Sequence, residues 1–142
     1  MLISLFCIGG ILNDGKKEYQ SLHEDRIFIG SAGDVTRLIE EEQCDVIVDL
    51  RAEVEEISLP EYVERIHIPL IDQQESQEEQ ILSAANEVVR HYREGKKVAL
   101  HCAAGRSRTG SVAIVTLLSL GLFSDIEDNY FLVFYTNFSL QQ

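Results

Sequence analysis

Cysteine is scarce in this sequence: Cys7, Cys44 and Cys102 are three residues in 142, an odd number with no paired spacing. Such a count argues against a disulfide framework and for a reducing compartment, so a cytoplasmic location is expected. There is no CxxC pair, and the four histidines, at 23, 67, 91 and 101, are scattered. The pattern therefore suggests no zinc site. Positive charge is also in short supply, with 12 Lys and Arg against 24 Asp and Glu and a formal net charge of -12. Such a field repels nucleic acid and anionic membrane surfaces at long range, so neither is an expected partner. An anionic substrate has to be held by a local positive site. Long hydrophobic runs are missing as well. The apolar stretch Met1 to Leu12 is too short to span a bilayer. It has no basic residue ahead of it and no small-x-small cleavage site, so it reads as a terminal strand or extension, not a targeting signal. No repeat, low-complexity tract or linker divides the chain, and its length suits one domain with one sizeable core.

The segments that remain alternate between the two periodicities. Asn13-Asp14-Gly15-Lys16-Lys17 reads as a turn. Arg26-Ile27-Phe28-Ile29 is a short strand closed by Gly30, and Ser31 to Glu42 reads as a helix, with Ser31…Asp34 as its cap and Val35, Leu38 and Ile39 on one face. Asp45 to Leu50 is a β-branched run suited to a strand covered on both faces. Arg65 to Leu70 alternates, and Pro69 disfavours a central place in the sheet. Ser76-x-x-Glu79 has the form of a capping box opening a helix to Arg93, with Ile81, Leu82, Ala85, Val88, Val89 and Tyr92 as its apolar stripe and Gly95 as its stop. Lys97 to His101 is a strand and Ser107 to Leu120 a helix; Ser124-x-x-Glu127 opens a last segment with Phe131, Phe134, Tyr135 and Phe138 at helical spacing. The order predicts an α/β fold: a single-domain three-layer sandwich with helices flanking a mainly parallel central sheet.

The chemistry concentrates in His101-Cys102-Ala103-Ala104-Gly105-Arg106-Ser107-Arg108-Thr109-Gly110. A strand, a glycine-containing loop and a helix N-terminus make an anion site, because loop N–H groups converge and the helix dipole adds partial positive charge. Gly105 allows a backbone conformation that a Cβ would obstruct, and Gly110 lets the helix lie close to the sheet. Residues 103–108 are the expected substrate-binding loop. Arg108 brings the planar fork that meets two phosphate oxygens. Cys102, at the foot of this field, is expected as a thiolate, arranged to attack phosphorus. Thr109 is placed to hydrogen-bond the sulfur and help it leave in a second step. His101 is read as orienting the loop through backbone contacts.

His-Cys-x-x-Gly-x-x-Arg-(Ser/Thr) is the signature of the cysteine-based protein tyrosine phosphatase superfamily. The form here, with Ala104-Gly105 and Ser107-Arg108-Thr109, resembles its dual-specificity branch. The resemblance runs from about Ser21 to about Leu122, with residues 1–20 as an N-terminal extension and 21–142 as the catalytic domain. It implies the cysteine-based phosphatase fold, a cysteinyl-phosphate intermediate, no metal or other cofactor, and a general acid on a mobile loop about thirty residues before the nucleophile. Asp72, in Ile68-Pro69-Leu70-Ile71-Asp72, stands at that distance; it would protonate the leaving oxygen and then deprotonate the attacking water. Arg106 either points to solvent or adds charge at the pocket rim. Asp49 and Arg51, at a strand end, are read as structural.

The function expected is hydrolysis of phosphotyrosine, with phosphoserine and phosphothreonine, in a phosphorylated protein or peptide. The short chain leaves little room for loops that would deepen the pocket. The alternatives are a non-protein substrate (phosphoinositide, inositol phosphate or RNA 5′-phosphate) and a phosphate-binding pseudophosphatase. Rhodanese-type sulfurtransferases usually carry the arginine five positions after the cysteine, whereas here Ser107 stands there and Arg108 follows. From Asn129 to Gln142 the chain is aromatic and nearly uncharged, which departs from the family. That segment either packs inward or leaves an apolar patch for a partner or a homodimer.

Overall fold

A computed structural model describes residues 19–122. The turn read at 13–17, the apolar start and the aromatic segment from Ser124 lie outside the described residues. Five strands form one sheet: β1 (Gln20–His23), β2 (Ile27–Ser31), β3 (Val46–Arg51), β4 (Glu64–Leu70) and β5 (Val98–Cys102). Their spatial order is β1-β2-β5-β3-β4. β1 runs antiparallel to β2, and the three other pairings are parallel. A 3₁₀ turn, Ala32–Asp34, leads into α1 (Val35–Glu40); α2 (Glu78–Arg93) and α3 (Ser107–Ser119) follow.

The strand alternation sorts the core into two layers. Ile27, Ile29, Val46, Val48, Leu50, Val98, Leu100 and Cys102 face α2 and α3, meeting Ala84, Ala85, Val88, Val112, Ala113 and Leu117. Phe28, Ile47 and Ala99 point the other way, against Val35, Leu38 and Ile39 of α1. β3 and β5 are central and buried on both faces, as their unbroken apolar runs require. The expected three-layer α/β sandwich is the fold observed. It puts Cys102 on the α2/α3 side of the sheet and the buried Asp49 and His101, paired in register, at the neighbouring strand ends.

Pro69 lies in β4, at the sheet edge, as its missing N–H demands. The β3–β4 ladder is irregular there: Asp49 pairs with His67, but Arg51 pairs with Leu70. One extra residue on β4 is thus absorbed beside the proline, and the chain leaves the sheet toward residues 71–77.

Four local readings need correction. β1 was not predicted: of its four residues only Leu22 is buried, so no alternation marks it. The helix read over Ser31 to Glu42 is shorter and opens with a 3₁₀ turn; its cap is nonetheless built, with the Asp34 carboxylate accepting from the Ser31 N–H at 2.8 Å and its hydroxyl at 2.9 Å. Ser76 does not cap α2, because its backbone is left-handed with φ 62° and the helix begins two residues later. Gln77 takes the organising role, accepting from the Ile71 N–H at 2.8 Å and donating to the Ile71 and Gln74 carbonyls at 2.9 and 3.1 Å. Leu82, at the flank of the α2 stripe, is 50% exposed and is not core.

Candidate active site

The site sits where the chain order reverses across the sheet. β5 lies between β2 and β3, and its carboxyl end opens a crevice of the kind that holds ligands in parallel α/β sheets. Cys102 is the last residue of β5 and is 3% exposed; residues 103–106 form the loop, and α3 starts at Ser107. The helix N-terminus therefore follows directly on the sulfur-bearing loop, as the sequence predicts. Gly105 has φ 75°, and a Cβ there would come within 2.7 Å of the Gly30 carbonyl carbon and oxygen. Here the glycine is required twice, by its left-handed backbone and by the end of β2 pressed against it. A hydrogen bond from the Ala32 N–H to the Ala103 carbonyl, 3.1 Å, ties the loop to the same strand end.

Around the sulfur the sequence expectations meet. The Thr109 hydroxyl donates to Cys102 Sγ at 3.1 Å from a fully buried position. His101 is buried, and its Nδ1 donates to the Cys102 carbonyl at 3.1 Å. Its Nε2 lies 3.7 Å from Asp49 Oδ1. Burial lowers the imidazole pKa, against the opposing pull of the Asp49 carboxylate.

Arg108 is 6% exposed. Its Nη1 and Nη2 donate to the two carboxylate oxygens of Glu53 at 2.7 and 3.0 Å, and Nη1 also donates to the Leu70 carbonyl at 3.1 Å. The Glu53 bond raises the guanidinium pKa against the effect of burial, and the same bond lowers that of Glu53. Nε of Arg108 is buried and has no hydrogen-bond partner. Asp72 Oδ1 stands 3.8 Å from it, on a side chain that is 54% exposed. The structure thus brings Cys102, Thr109, Arg108 and His101 into one cluster, with Asp72 at its open side. Ala103, Ala104 and Arg106 are exposed on the loop, and Ser107 is half-buried at the start of α3.

Sequence reasoning missed two parts. One is Glu53, concealed in the acidic run Glu53-Val54-Glu55-Glu56; its one signal is its place two residues beyond the β3 end. The other is the full extent of the Asp49 cluster. Asp49 has no exposed surface and accepts from Arg51 at 3.0 and 2.9 Å and from Arg65 at 3.3 and 2.8 Å. Burial pushes its carboxyl up, but the bonds from both arginines outweigh this and hold it well below the usual carboxylate range. His67 serves the same strand end, with Nε2 2.6 Å from the Arg51 carbonyl. Among the described residues no cluster of three or more His, Cys, Asp or Glu could hold a metal ion.

A family model described as dual specificity phosphatase, catalytic domain, matches residues 27–133. No curated protein sequence matches the chain. Among solved structures, OH1 from the Orf virus, described as a tyrosine phosphatase with triple substrate specificity, aligns with a TM-score of 0.65 at 21% identity, over 95% of this chain and 84% of that one. Human tyrosine phosphatase-like serine/threonine/tyrosine-interacting protein aligns with a TM-score of 0.66 at 14% identity, over 82% of each chain. Tk-PTP in its active form aligns with a TM-score of 0.60 at 23% identity, over 75% of this chain and 76% of that one. At these identities the structural likenesses speak for the fold. The family match covers most of the chain and decides between phosphoryl and sulfur transfer: this chain belongs to the dual specificity phosphatases and is a cysteine-dependent phosphatase.

Proposed function

We propose that the chain dephosphorylates phosphotyrosine, together with phosphoserine and phosphothreonine, in proteins, and that Cys102 carries the phosphoryl group between two steps. The Cys102 thiolate attacks phosphorus, the S–P bond forms, and the P–O bond to the substrate breaks as Asp72 gives its proton to the leaving oxygen. Asp72, now a carboxylate, takes a proton from water; the water oxygen attacks phosphorus, and the S–P bond breaks to release phosphate. The loop of residues 103–108 and the fork of Arg108 hold the phosphoryl oxygens, and Thr109 supports the sulfur as it leaves.

The observation that carries this reading is the single buried cluster of Thr109 Oγ1 at 3.1 Å from Cys102 Sγ and an Arg108 Nε without a partner. The half-exposed Asp72 fits an acid that meets substrates of different depth. Residues 21–142 form the proposed catalytic domain, with 1–20 as an extension. Cysteine usage fits a reducing, cytoplasmic setting, and among the described residues no helix is long and apolar enough to cross a membrane.

The test is hydrolysis of p-nitrophenyl phosphate in reductant without metal, comparing wild type with Cys102→Ser and Asp72→Asn. Cys102→Ser is expected to abolish turnover; equal product release by the two proteins rejects the phosphatase reading and leaves a phosphate-binding pseudophosphatase. Asp72→Asn is expected to slow a poor leaving group by roughly 100-fold or more, the scale of a positioned acid. An unchanged rate removes Asp72 from the role.

A second reading, a non-protein phosphomonoester, draws on Arg106, an exposed cation on the loop. One structural neighbour, PTPMT1, is known in complex with PI(5)P and aligns at 16% identity with a TM-score of 0.62. Binding of phosphopeptides, phosphoinositides and RNA 5′-phosphates to Cys102→Ser separates the two readings.

A further inference from the structure

Where β4 ends, the chain leaves the sheet and its backbone groups need new partners. The β3–β4 ladder closes at Leu70, whose carbonyl still accepts from the Ala52 N–H at 3.2 Å. Ile71 lies past the ladder, and both of its backbone groups turn to one side chain. Gln77 Oε1 accepts from the Ile71 N–H at 2.8 Å, and Gln77 Nε2 donates to the Ile71 carbonyl at 2.9 Å. Nε2 also donates to the Gln74 carbonyl at 3.1 Å. A primary amide has one acceptor and two donors to offer, and here it gives all three to one short loop.

The three bonds enclose a turn. The Gln74 N–H reaches back to the Ile71 carbonyl at 3.4 Å, so Asp72 and Gln73 are the central residues. Gln73 is left-handed with φ 58°, and Ser76 is left-handed with φ 62°. That backbone state is uncommon for residues that carry a side chain. Local preference does not choose this loop shape, so the groups that grip the loop must hold it. Within residues 71–80 every residue except Gln77 is exposed. Asp72 is itself 54% exposed, and its Oδ1 is 3.8 Å from Arg108 Nε. Little packing places its carboxyl; its position comes from the turn.

We infer that Gln77 is a positioning residue of this phosphatase: its amide pins the first and last residues of the turn that carries Asp72, and so sets where the proposed acid stands beside Arg108. An acid serves only within hydrogen-bond reach of the leaving oxygen, and a displacement on the order of 1 Å is enough to cost rate.

The competing view makes Gln77 a helix-entry residue alone. Its carbonyl does accept from the Ile81 N–H at 2.9 Å in the first turn of α2. Loss of such a residue lowers the melting temperature and slows every substrate alike. Loss of an acid-positioning residue slows only the substrates that need the acid.

The inference rests on Asp72 as the acid, so the experiment carries Asp72→Asn beside each variant. Values of kcat/KM are measured on p-nitrophenyl phosphate, a good leaving group, and on phenyl phosphate, a poor one, with thermal melts as the folding control. This ratio covers the steps through departure of the phenol and leaves out hydrolysis of the cysteinyl phosphate. Gln77→Ala is expected to lower it about tenfold or more on phenyl phosphate and less than about threefold on p-nitrophenyl phosphate. Gln77→Glu keeps the volume and the acceptor but sets a carboxylate against two carbonyl oxygens; a loss at least as large is expected. In an Asp72→Asn background, with no acid left to place, Gln77→Ala is expected to add less than about twofold. Equal losses on the two substrates overturn the inference, as does a full further loss in the Asp72→Asn background. A slow Asp72→Asn beside an unchanged Gln77→Ala rejects the role of Gln77 alone. An Asp72→Asn as fast as wild type on phenyl phosphate rejects Asp72 as the acid, and the role of Gln77 with it.

Discussion

The Thr109 hydroxyl has one proton to give, and it gives it to Cys102 Sγ at 3.1 Å. Negative charge leaves the sulfur when the S–P bond forms and returns to it when that bond breaks. In the proposed two-step reaction the donor would therefore help the second step more than the first. Thr109→Val keeps the shape and removes the donor. We expect kcat to fall roughly 100-fold, the scale of losing one donor to developing charge. A burst of nitrophenol should then precede slow turnover in rapid-mixing experiments, and Thr109→Ser should remove most of the defect. A linear time course at the wild-type rate would contradict the assignment. The residues of this cluster are legible in the sequence because they are contiguous: strand, loop and helix place Cys102, Gly105, Arg108 and Thr109 by covalent spacing alone. Glu53 reaches the same cluster through a sheet pairing, and neither its residue type nor its acidic neighbours distinguish it before the fold is known.

At the level of elements, β3, β4 and β5 meet in a buried charge cluster. Asp49 on β3 is fully buried and binds Arg51 of its own strand and Arg65 of β4, with His101 of β5 at 3.7 Å. Removing one member of such a cluster strands the others, and Asp49→Asn leaves two arginines, 13% and 15% exposed, without their counter-charge. We expect a loss of about 3–5 kcal/mol in denaturant unfolding at neutral pH. The sign with pH follows from the depressed carboxyl: its contribution is complete above the ordinary aspartate value near ~3.9 and is lost as pH falls toward the lower folded value. The gap between wild type and variant should therefore narrow only in strong acid; a gap that closes between about pH 5 and 7 would point to another group. The mainly parallel sheet could be anticipated from the alternation of strands and helices, with β3 as a β-branched run buried on both faces. β1 could not, since an edge strand with one buried residue carries no period. Ser76 shows the complementary error: the motif spacing was right, but the Gln77 bonds to Ile71 and Gln74 hold that turn in another conformation.

The molecule as a whole carries a net charge of -12, while its proposed binding loop offers an anion the N-terminus of α3 and the unpartnered Nε of Arg108. Long-range repulsion of an anionic substrate and short-range capture by Arg108 thus oppose each other, and salt screens the first more than the second. Raising ionic strength from about 0.01 to 0.15 M should increase kcat/KM for an acidic phosphopeptide and decrease it for a lysine-rich one, each by a few-fold. The same trend for both peptides would show that net charge does not steer the encounter. The contact between Gly30 and Gly105 bears on how the protein comes to be active. It joins the end of β2 to the loop after β5, two paired strands separated in the sequence by α1, β3, β4 and α2. Closing so long a stretch of chain is entropically expensive and slow. The proposed catalytic loop is therefore expected to form late in folding, so that recovery of turnover during refolding should lag helix formation and follow the completed β2–β5 pairing.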